Sequence, residues 1–478
     1  MTVVCHVVDG EEVDAVEGGR FESVDPWTRE PWAEVALGGP ADVDQAVAAA
    51  RRAFDEGPWS RIGAAERRAT LHRFADLLVV HAEELGSADT TDMGKPISDM
   101  LEREVPRAAD NLRFFADHAA LSHGAVFPMD SGHHAYERFE PAGVVAAISP
   151  WNFPLMLETW KIAPALAWGN TVVLKPAEES PASATILARL GLEAGLPPGV
   201  LNVVHGFGPD GAGEALTRHP DVDRVTFTGE SATGRAVAAA AASHLAPVSL
   251  ELGGKGASIV FADADLDSAV AWAVRAAFAN AGQICLAGSR LLVESSIFDE
   301  FVDRLVVAAE AMVVGNPSDP ATQVGPLSSR QHYDKVVGYL DEIPAAGGKV
   351  LTGGRREGWI VAPTVVTGLA PDARACREEM FGPIVPVIPF EHEAEAVQLA
   401  NDCPFGLNAM CFTTNLSRGH RVAKRLRVGT VWVNCFFVRD LRAPFGGVGD
   451  SGVGREGGTY SREFFTEPKA VVMEISEV

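Results

Sequence analysis

Cys285 stands at the centre of the run Gly282-Gln283-Ile284-Cys285-Leu286-Ala287-Gly288-Ser289-Arg290, between a helix-patterned segment and an apolar, strand-like one. A thiolate attacks carbonyl carbon well, but only with a lowered pKa or a neighbouring base. A cysteine alone in apolar surroundings is usually a small buried hydrophobe, so its meaning depends on the company it keeps. Asn152 lies just past an apolar run, in Pro150-Trp151-Asn152-Phe153-Pro154, where two prolines stiffen the loop. A side-chain amide held there can donate to an oxyanion together with the Cys285 backbone N–H; a turn-forming Asn is the plainer alternative. Glu251 ends an apolar run and precedes Gly253-Gly254. Poor solvation at such a place raises a carboxyl toward the range useful to a general base, although an acid capping a strand end would look the same.

The elements around these residues follow from periodicity. Residues 1–40 carry Pro and Gly between short apolar runs and read as irregular strands on a larger body, whereas residues 41–123 turn to spacings of three and four, with another such helix over 102–119. Compact apolar runs at 144–148, 171–174, 200–204, 224–227 and 248–250 alternate with helical patterns such as 182–194. That alternation predicts an α/β fold built on a doubly wound, Rossmann-like parallel sheet, with ligands at the carboxyl ends of its strands. The rhythm restarts after Gly254 with a helix near 266–279, a strand near 290–293, a helix near 298–312 and a strand near 429–434, implying a second α/β unit. The tail over 469–475 alternates as a strand that would suit addition to a partner's sheet.

Bulk properties bound the function. A chain of 478 residues, 47% hydrophobic and 22% charged, is too long for one core and implies two or three domains. Its formal charge of −24 repels phosphate backbones and anionic lipid, which argues against nucleic-acid or membrane partners. No run approaches the ~18 apolar residues of a membrane helix, and the start lacks the features of a secretory signal. Six cysteines without a CxxC pair suit reduced thiols in a cytoplasm, and no HExxH or Cys/His cluster suggests a metal. Gly206-Phe207-Gly208-Pro209-Asp210-Gly211 matches the dinucleotide pattern GxGxxG after a strand, but no acidic residue follows at the usual distance, so a surface turn fits equally.

Together with Cys285, the runs at 150–154, 250–255, 378–383 and 444–447 resemble, in order and spacing, the aldehyde dehydrogenase superfamily from near Phe21 to near Val472. The resemblance implies a thiohemiacetal and then a thioester on Cys285, an oxyanion held by Asn152, and water activated by Glu251. It also implies NAD as cofactor. Lys175 and Glu178 would hold the adenosine ribose, with Glu178 disfavouring a 2′-phosphate, and Glu379 and Phe381 would hold and pack the nicotinamide ribose and ring. Ser149, Trp151, Gly208, Phe227, Gly229 and Leu252 would line the remainder, with Ser231 donating to the pyrophosphate at a helix N-terminus. The domains expected are an NAD-binding lobe (1–118 and 140–251, with 435–460 returning to it), a catalytic lobe (252–434) and a β oligomerisation element (119–139 and 461–478) in a homodimer or homotetramer.

The run Val438-Arg439-Asp440-Leu441-Arg442 resembles the muconic semialdehyde branch, whose substrates carry carboxylates; Arg439, Arg107 and Phe445 are the substrate-binding candidates. Arg439 or Arg107 could instead make a structural salt bridge. A cysteine hydrolase or acyltransferase with a His base, and a non-catalytic binding protein, are the competing readings; none of the 13 histidines has a recognisable catalytic setting.

Overall fold

A computed structural model describes residues 1–475. Five parallel strands form the heart of the first sheet: Val144–Ile148, Thr171–Lys175, Leu201–Val203, Arg224–Thr228 and Val248–Glu251. Every residue of the first two is buried, which explains their unbroken apolar sequence. In space the order is fifth, fourth, first, second, third. The chain therefore winds one way and then restarts on the other side of Val144–Ile148, whose Ile148 lies opposite Phe227 of Arg224–Thr228. That switch point opens a crevice beyond the strand ends, at residues 149–153 and 229–231. Gly452–Val453 adds antiparallel to Val248–Glu251, and His6–Val8 and Glu11–Val13 complete eight strands at the other edge.

The second sheet has seven strands, in the order Lys349–Arg355, Val361–Thr367, Ile384–Phe390, Arg290–Glu294, Ala257–Val260, Asn408–Phe412 and Thr430–Val433. Helix Leu266–Phe278 begins at Asp265, whose carboxylate accepts the Ser268 N–H at 3.3 Å, and its apolar face packs into the core beside Phe301 and Leu291. It ends in a tight turn, Ala279–Gly282, where Asn280 and Ala281 take φ of 51° and 53° and Gly282 takes 71°. This turn aims the following residues, Cys285 among them, at the crevice of the first sheet.

One expectation shifts. The helix expected over 102–119 starts at Val105, because Met100–Glu104 form a wider π-type turn; Pro106 at the new start has no N–H to continue the ladder backward. The tail strand, Thr466–Glu474, pairs antiparallel along its length with His133–Pro141 of its own chain, and Val126–Phe127 lies on the far side. Its other edge is unpaired among the described residues and exposes Val472, Met473 and Ile475. The last three positions of the expected oligomerisation element lie outside the described residues.

The Cys285 loop depends on Gly282, where an added Cβ would overlap the Gly382 carbonyl in a backbone conformation that L side chains rarely adopt. Gly282→Ala is expected to cost roughly 1–3 kcal/mol of stability, read as a lowered Tm, and to reduce turnover more than tenfold.

Candidate active site

Two loops that are far apart in sequence are laced together at the crevice. The buried Asn152 donates its amide to the Gln283 carbonyl at 2.9 Å, and Asn280 donates its own amide back to the Asn152 carbonyl at 2.8 Å. Gln283 is fixed in turn, its Nε2 donating to the Asn280 carbonyl at 3.1 Å and its Oε1 accepting the Ser328 N–H at 3.0 Å. One of the two Asn152 amide hydrogens is thus used for orientation, leaving the second to donate elsewhere. Cys285, two residues beyond Gln283, is half-buried and shares with Asn152 the wall of a cavity of about 830 Å³. Among the described residues no acceptor takes the Cys285 N–H.

Desolvation dominates the electrostatics. Burial, reinforced by the Glu379 and Glu251 carboxylates, pushes the Cys285 thiol up to about 12, while the Arg439 charge pulls it down. Glu251 is buried with neither oxygen hydrogen-bonded; its carboxyl is raised well above the usual range by that burial and by Glu456, and Lys161 and Arg439 oppose the rise. An added Cβ at Gly446 would press on a Glu251 oxygen at 2.5 Å, so that glycine leaves the carboxyl its room.

Lys161 and Glu456 are polar partners that sequence reasoning missed. Lys161 Nζ donates to Thr226 at 3.0 Å and lies 3.6 Å from Glu456, which also receives bonds from Trp160 and Ser249. A lysine inside the largely apolar, buried helix Pro154–Ala167 was the available signal. Glu456 gave none, because 295 positions separate it from Lys161 and only the fold brings them together.

The large cavity has the chemistry of a dinucleotide site. Ser149, Trp151, Lys175, Glu178, Gly208, Phe227, Gly229, Leu252, Glu379 and Phe381 all line it. Ser149 Oγ is buried there without a partner. Lys175 Nζ, 3.7 Å from Glu178, is otherwise bonded only to the Pro176 carbonyl at 2.8 Å, and burial lowers its pKa. Glu379 accepts the Gly254 N–H at 2.7 Å against Gly253, where any Cβ would strike its other oxygen, and burial raises its carboxyl to about 7. Phe381, held at φ 58°, stands edge-on to Trp151 with ring centroids 5.3 Å apart. A hydroxyl, an ammonium, two carboxylates and flat apolar faces along one cavity fit two riboses, a pyrophosphate and two rings. Ser231 corrects the expectation made for it: its hydroxyl donates to the Asp450 carbonyl at 2.7 Å and is absent from the cavity wall. The return of residues near 450 to the first sheet supplies that closer acceptor.

A second cavity of about 320 Å³ has Arg107 and Arg439 in its wall, with Phe153, Ile284, Phe436 and Phe437. Phe445 is not in that wall; it is buried beneath Arg439, whose guanidinium lies 3.8 Å above its ring centre and 4.5 Å from that of Trp160. Phe445 therefore supports the arginine by cation–π contact rather than lining the cavity. Burial, then the charge of Arg107, lowers Arg439 to about 10, and its Nη2 is buried without a partner.

The pattern of the aldehyde dehydrogenase family matches residues 13–471. The chain belongs to that family. It is 48% identical to the 2-hydroxymuconic semialdehyde dehydrogenase of Pseudomonas sp. (strain CF600), covering 99% of this chain and 100% of that one. Identity to the 2-aminomuconic 6-semialdehyde dehydrogenase of a Pseudomonas species is 45%, over 98% of each. The crystal structure of PnpE in complex with nicotinamide adenine dinucleotide superposes with a TM-score of 0.97 at 43% identity, covering 99% of this chain and 98% of that one. The eight-stranded and seven-stranded sheets meeting at Cys285 are thus the fold of an aldehyde dehydrogenase.

A thiol raised to about 12 is protonated through neutral pH. Alkylation of Cys285 by iodoacetamide in the ligand-free enzyme, followed by peptide mass spectrometry, should keep accelerating as pH rises past 9. A rate that levels off below pH 8 would contradict the raised thiol.

Proposed function

We propose that this aldehyde dehydrogenase uses NAD to oxidise a semialdehyde bearing a carboxylate, of the muconic kind, to the acid. The observation that carries the reading is the shared wall: Cys285 and Asn152 border the cavity whose other walls carry Lys175, Glu178, Glu379 and Phe381. Cys285 Sγ attacks the aldehyde carbon as its thiol proton passes to solvent water through the open cavity. The free hydrogen of the Asn152 amide and the Cys285 N–H receive the oxyanion, each such donor being worth about 3 kcal/mol to the transition state. NAD, when bound along Ser149, Lys175, Glu178, Glu379 and Phe381, supplies the acceptor for the hydride that leaves the thiohemiacetal carbon. Glu251 takes a proton from the water that cleaves the resulting thioester, and a carboxyl raised by burial is a stronger base than an ordinary one. The charges of Glu456 and Lys161, which lie 3.6 Å apart, act on Glu251 in opposite senses.

The Cys/His hydrolase alternative finds little support. His332 is the one histidine in the walls of the two cavities, and its Nε2 is bonded to the Phe381 carbonyl at 2.8 Å while burial lowers it to about 4.

Substrate choice rests on Arg107 and Arg439. A half-buried guanidinium facing another needs an anion between them, and a carboxylate at the distal end of a conjugated semialdehyde would meet that need while its body packs on Phe153, Phe436 and Phe437. The relatives named for muconic semialdehydes agree with this choice. We further propose cytoplasmic residence, from six free cysteines, and association through the exposed edge of Thr466–Glu474.

Cys285→Ala should bind NAD with unchanged affinity, by calorimetry, and form no NADH; appreciable turnover would remove the nucleophile. Arg439→Ala should raise KM for 2-hydroxymuconic semialdehyde on the order of 10–100-fold while changing that for an uncharged aldehyde only a few-fold. Equal effects on the two would sink the carboxylate anchor. Glu251→Gln should abolish the rise of kcat with pH, because only the ionised carboxyl, present above its raised pKa, can accept the proton.

A further inference from the structure

Lys95 borders neither of the two cavities, yet it is wholly buried and touches the wall of one of them. Helix Ala82–Met93 stops at Gly94, whose φ of 77° ends the ladder, and Pro96 cannot extend it, so Lys95 is held between the two in a fixed turn. Its Nζ stands 3.5 Å from the centre of the Phe153 ring. Two acids balance the charge, Glu104 at 3.0 Å and Asp99 at 3.4 Å. They are five positions apart, which on an α-helix sets side chains about 140° apart. The π-type turn Met100–Glu104, closed by the Val105 N–H on the Met100 carbonyl, winds more widely and lets both reach one ammonium. A methionine would fill the same space without taking charge out of water, so the charge itself calls for a use. Phe153 supplies one: it borders the smaller cavity and not the larger, and it stacks on Phe437 of the same wall with ring centres 6.2 Å apart.

We propose that Lys95 is a positioning residue: its ammonium, fixed by Asp99 and Glu104, holds the Phe153 ring by cation–π contact, and that ring sets the apolar wall on which the body of the aldehyde packs. This rests on the reading of the smaller cavity as the aldehyde's. The outer torsion of a phenylalanine is broad, so packing alone fixes its ring loosely. A cation 3.5 Å from the ring centre is attracted to the ring face and favours the one orientation that presents it. The effect falls on binding of the aldehyde. Asn152, the preceding residue, keeps its own bonds to Gln283 and Asn280, so the oxyanion donor and kcat are spared. NAD, placed in the larger cavity, does not meet Phe153. Carboxylated and uncharged aldehydes are affected alike, because the ring meets the body that both possess, in contrast to the guanidinium of Arg439.

The test removes the charge and keeps the bulk. Lys95→Met should raise KM for 2-hydroxymuconic semialdehyde and for an uncharged conjugated aldehyde about three- to tenfold each. Over the same series kcat should change less than about twofold, and the dissociation constant of NAD, by calorimetry, should stay as it was. Since an unpaired buried Glu104 threatens the fold, Lys95→Met/Glu104→Gln is measured against Glu104→Gln and should show the same rise. Phe153→Leu should raise KM by itself, and in that background Lys95→Met should add less than about twofold, because the contact it removes is already gone. Aldehyde KM values unmoved in both Lys95 comparisons, a parallel loss of NAD affinity, or a Lys95→Met effect undiminished on Phe153→Leu would overturn the role of Lys95 and leave the cavity to the aldehyde. If Phe153→Leu itself leaves every KM unchanged, the cavity is not the aldehyde's and both readings fall.

Discussion

The reciprocal bonds between the Asn152 loop and the turn that presents Cys285 are the constraint on which the site depends. Asn152 gives an amide hydrogen to Gln283, and Asn280 returns one to the Asn152 carbonyl, across 131 and 128 positions of chain. Each bond alone is worth on the order of 1 kcal/mol. What they hold is costlier: Asn280 and Ala281 occupy the left-handed region, a strain of roughly 1–3 kcal/mol each that persists only where the surroundings over-determine it. The strained turn rotates the chain out of helix Leu266–Phe278 and sets Cys285 against the first sheet. The same amide that would serve the oxyanion is thereby anchored before any substrate arrives, so its orientation costs nothing during the reaction.

Burial then sets the protonation of everything nearby. It raises Cys285, Glu251 and Glu379 and lowers Lys161, Lys175 and Arg439. Acids pushed up and bases pushed down both drift toward neutrality, which is how a dry site carries six ionisable groups without paying the solvation cost of six charges. A thiol near 12 is unreactive at rest. Its activation must therefore come from a proton acceptor or from charge that arrives with the ligands, and Arg439 is the resident group that already pulls it downward.

Much of this was legible because it is local. Apolar runs ending at Asn152, Lys175, Thr228 and Glu251 announce parallel strands, and strand ends at a switch point announce a site. The features that sequence missed or misplaced depend on distant returns of the chain. Ser231 faces Asp450 instead of the cavity, Phe445 lies under Arg439 instead of in the wall, and Glu456 meets Lys161. All three involve residues 445–456, which re-enter the first sheet through Gly452–Val453. Periodicity cannot foresee that pairing, because a two-residue strand has no period. The tail strand shows a different limit: its alternation reads as a strand and it joins His133–Pro141 of the same chain, but alternation does not say what its other edge will meet.

The segment leaving the strained turn also divides the labour of the site. Ile284 belongs to the wall of the smaller cavity and Cys285 to that of the larger. Ile284 and Cys285 open a turn closed by the Ala287 N–H on the Ile284 carbonyl at 3.0 Å, so one peptide unit separates the space proposed to choose the aldehyde from the space that would accept its hydride. The two spaces differ in charge as well. The larger is bordered by Glu178, Glu179, Glu214, Glu230 and Glu379, set against Lys175, Arg218 and Lys335, whereas the smaller has in its wall Arg107, Arg275 and Arg439, none of them ion-paired among the described residues. A carboxylated aldehyde is thereby drawn to one side of the partition and discouraged from the other, with its carbonyl arriving at the single sulfur that borders the larger space. Selectivity and reactivity can then change independently: residues on the Ile284 side alter which aldehyde arrives, and those on the Cys285 side alter what happens to it.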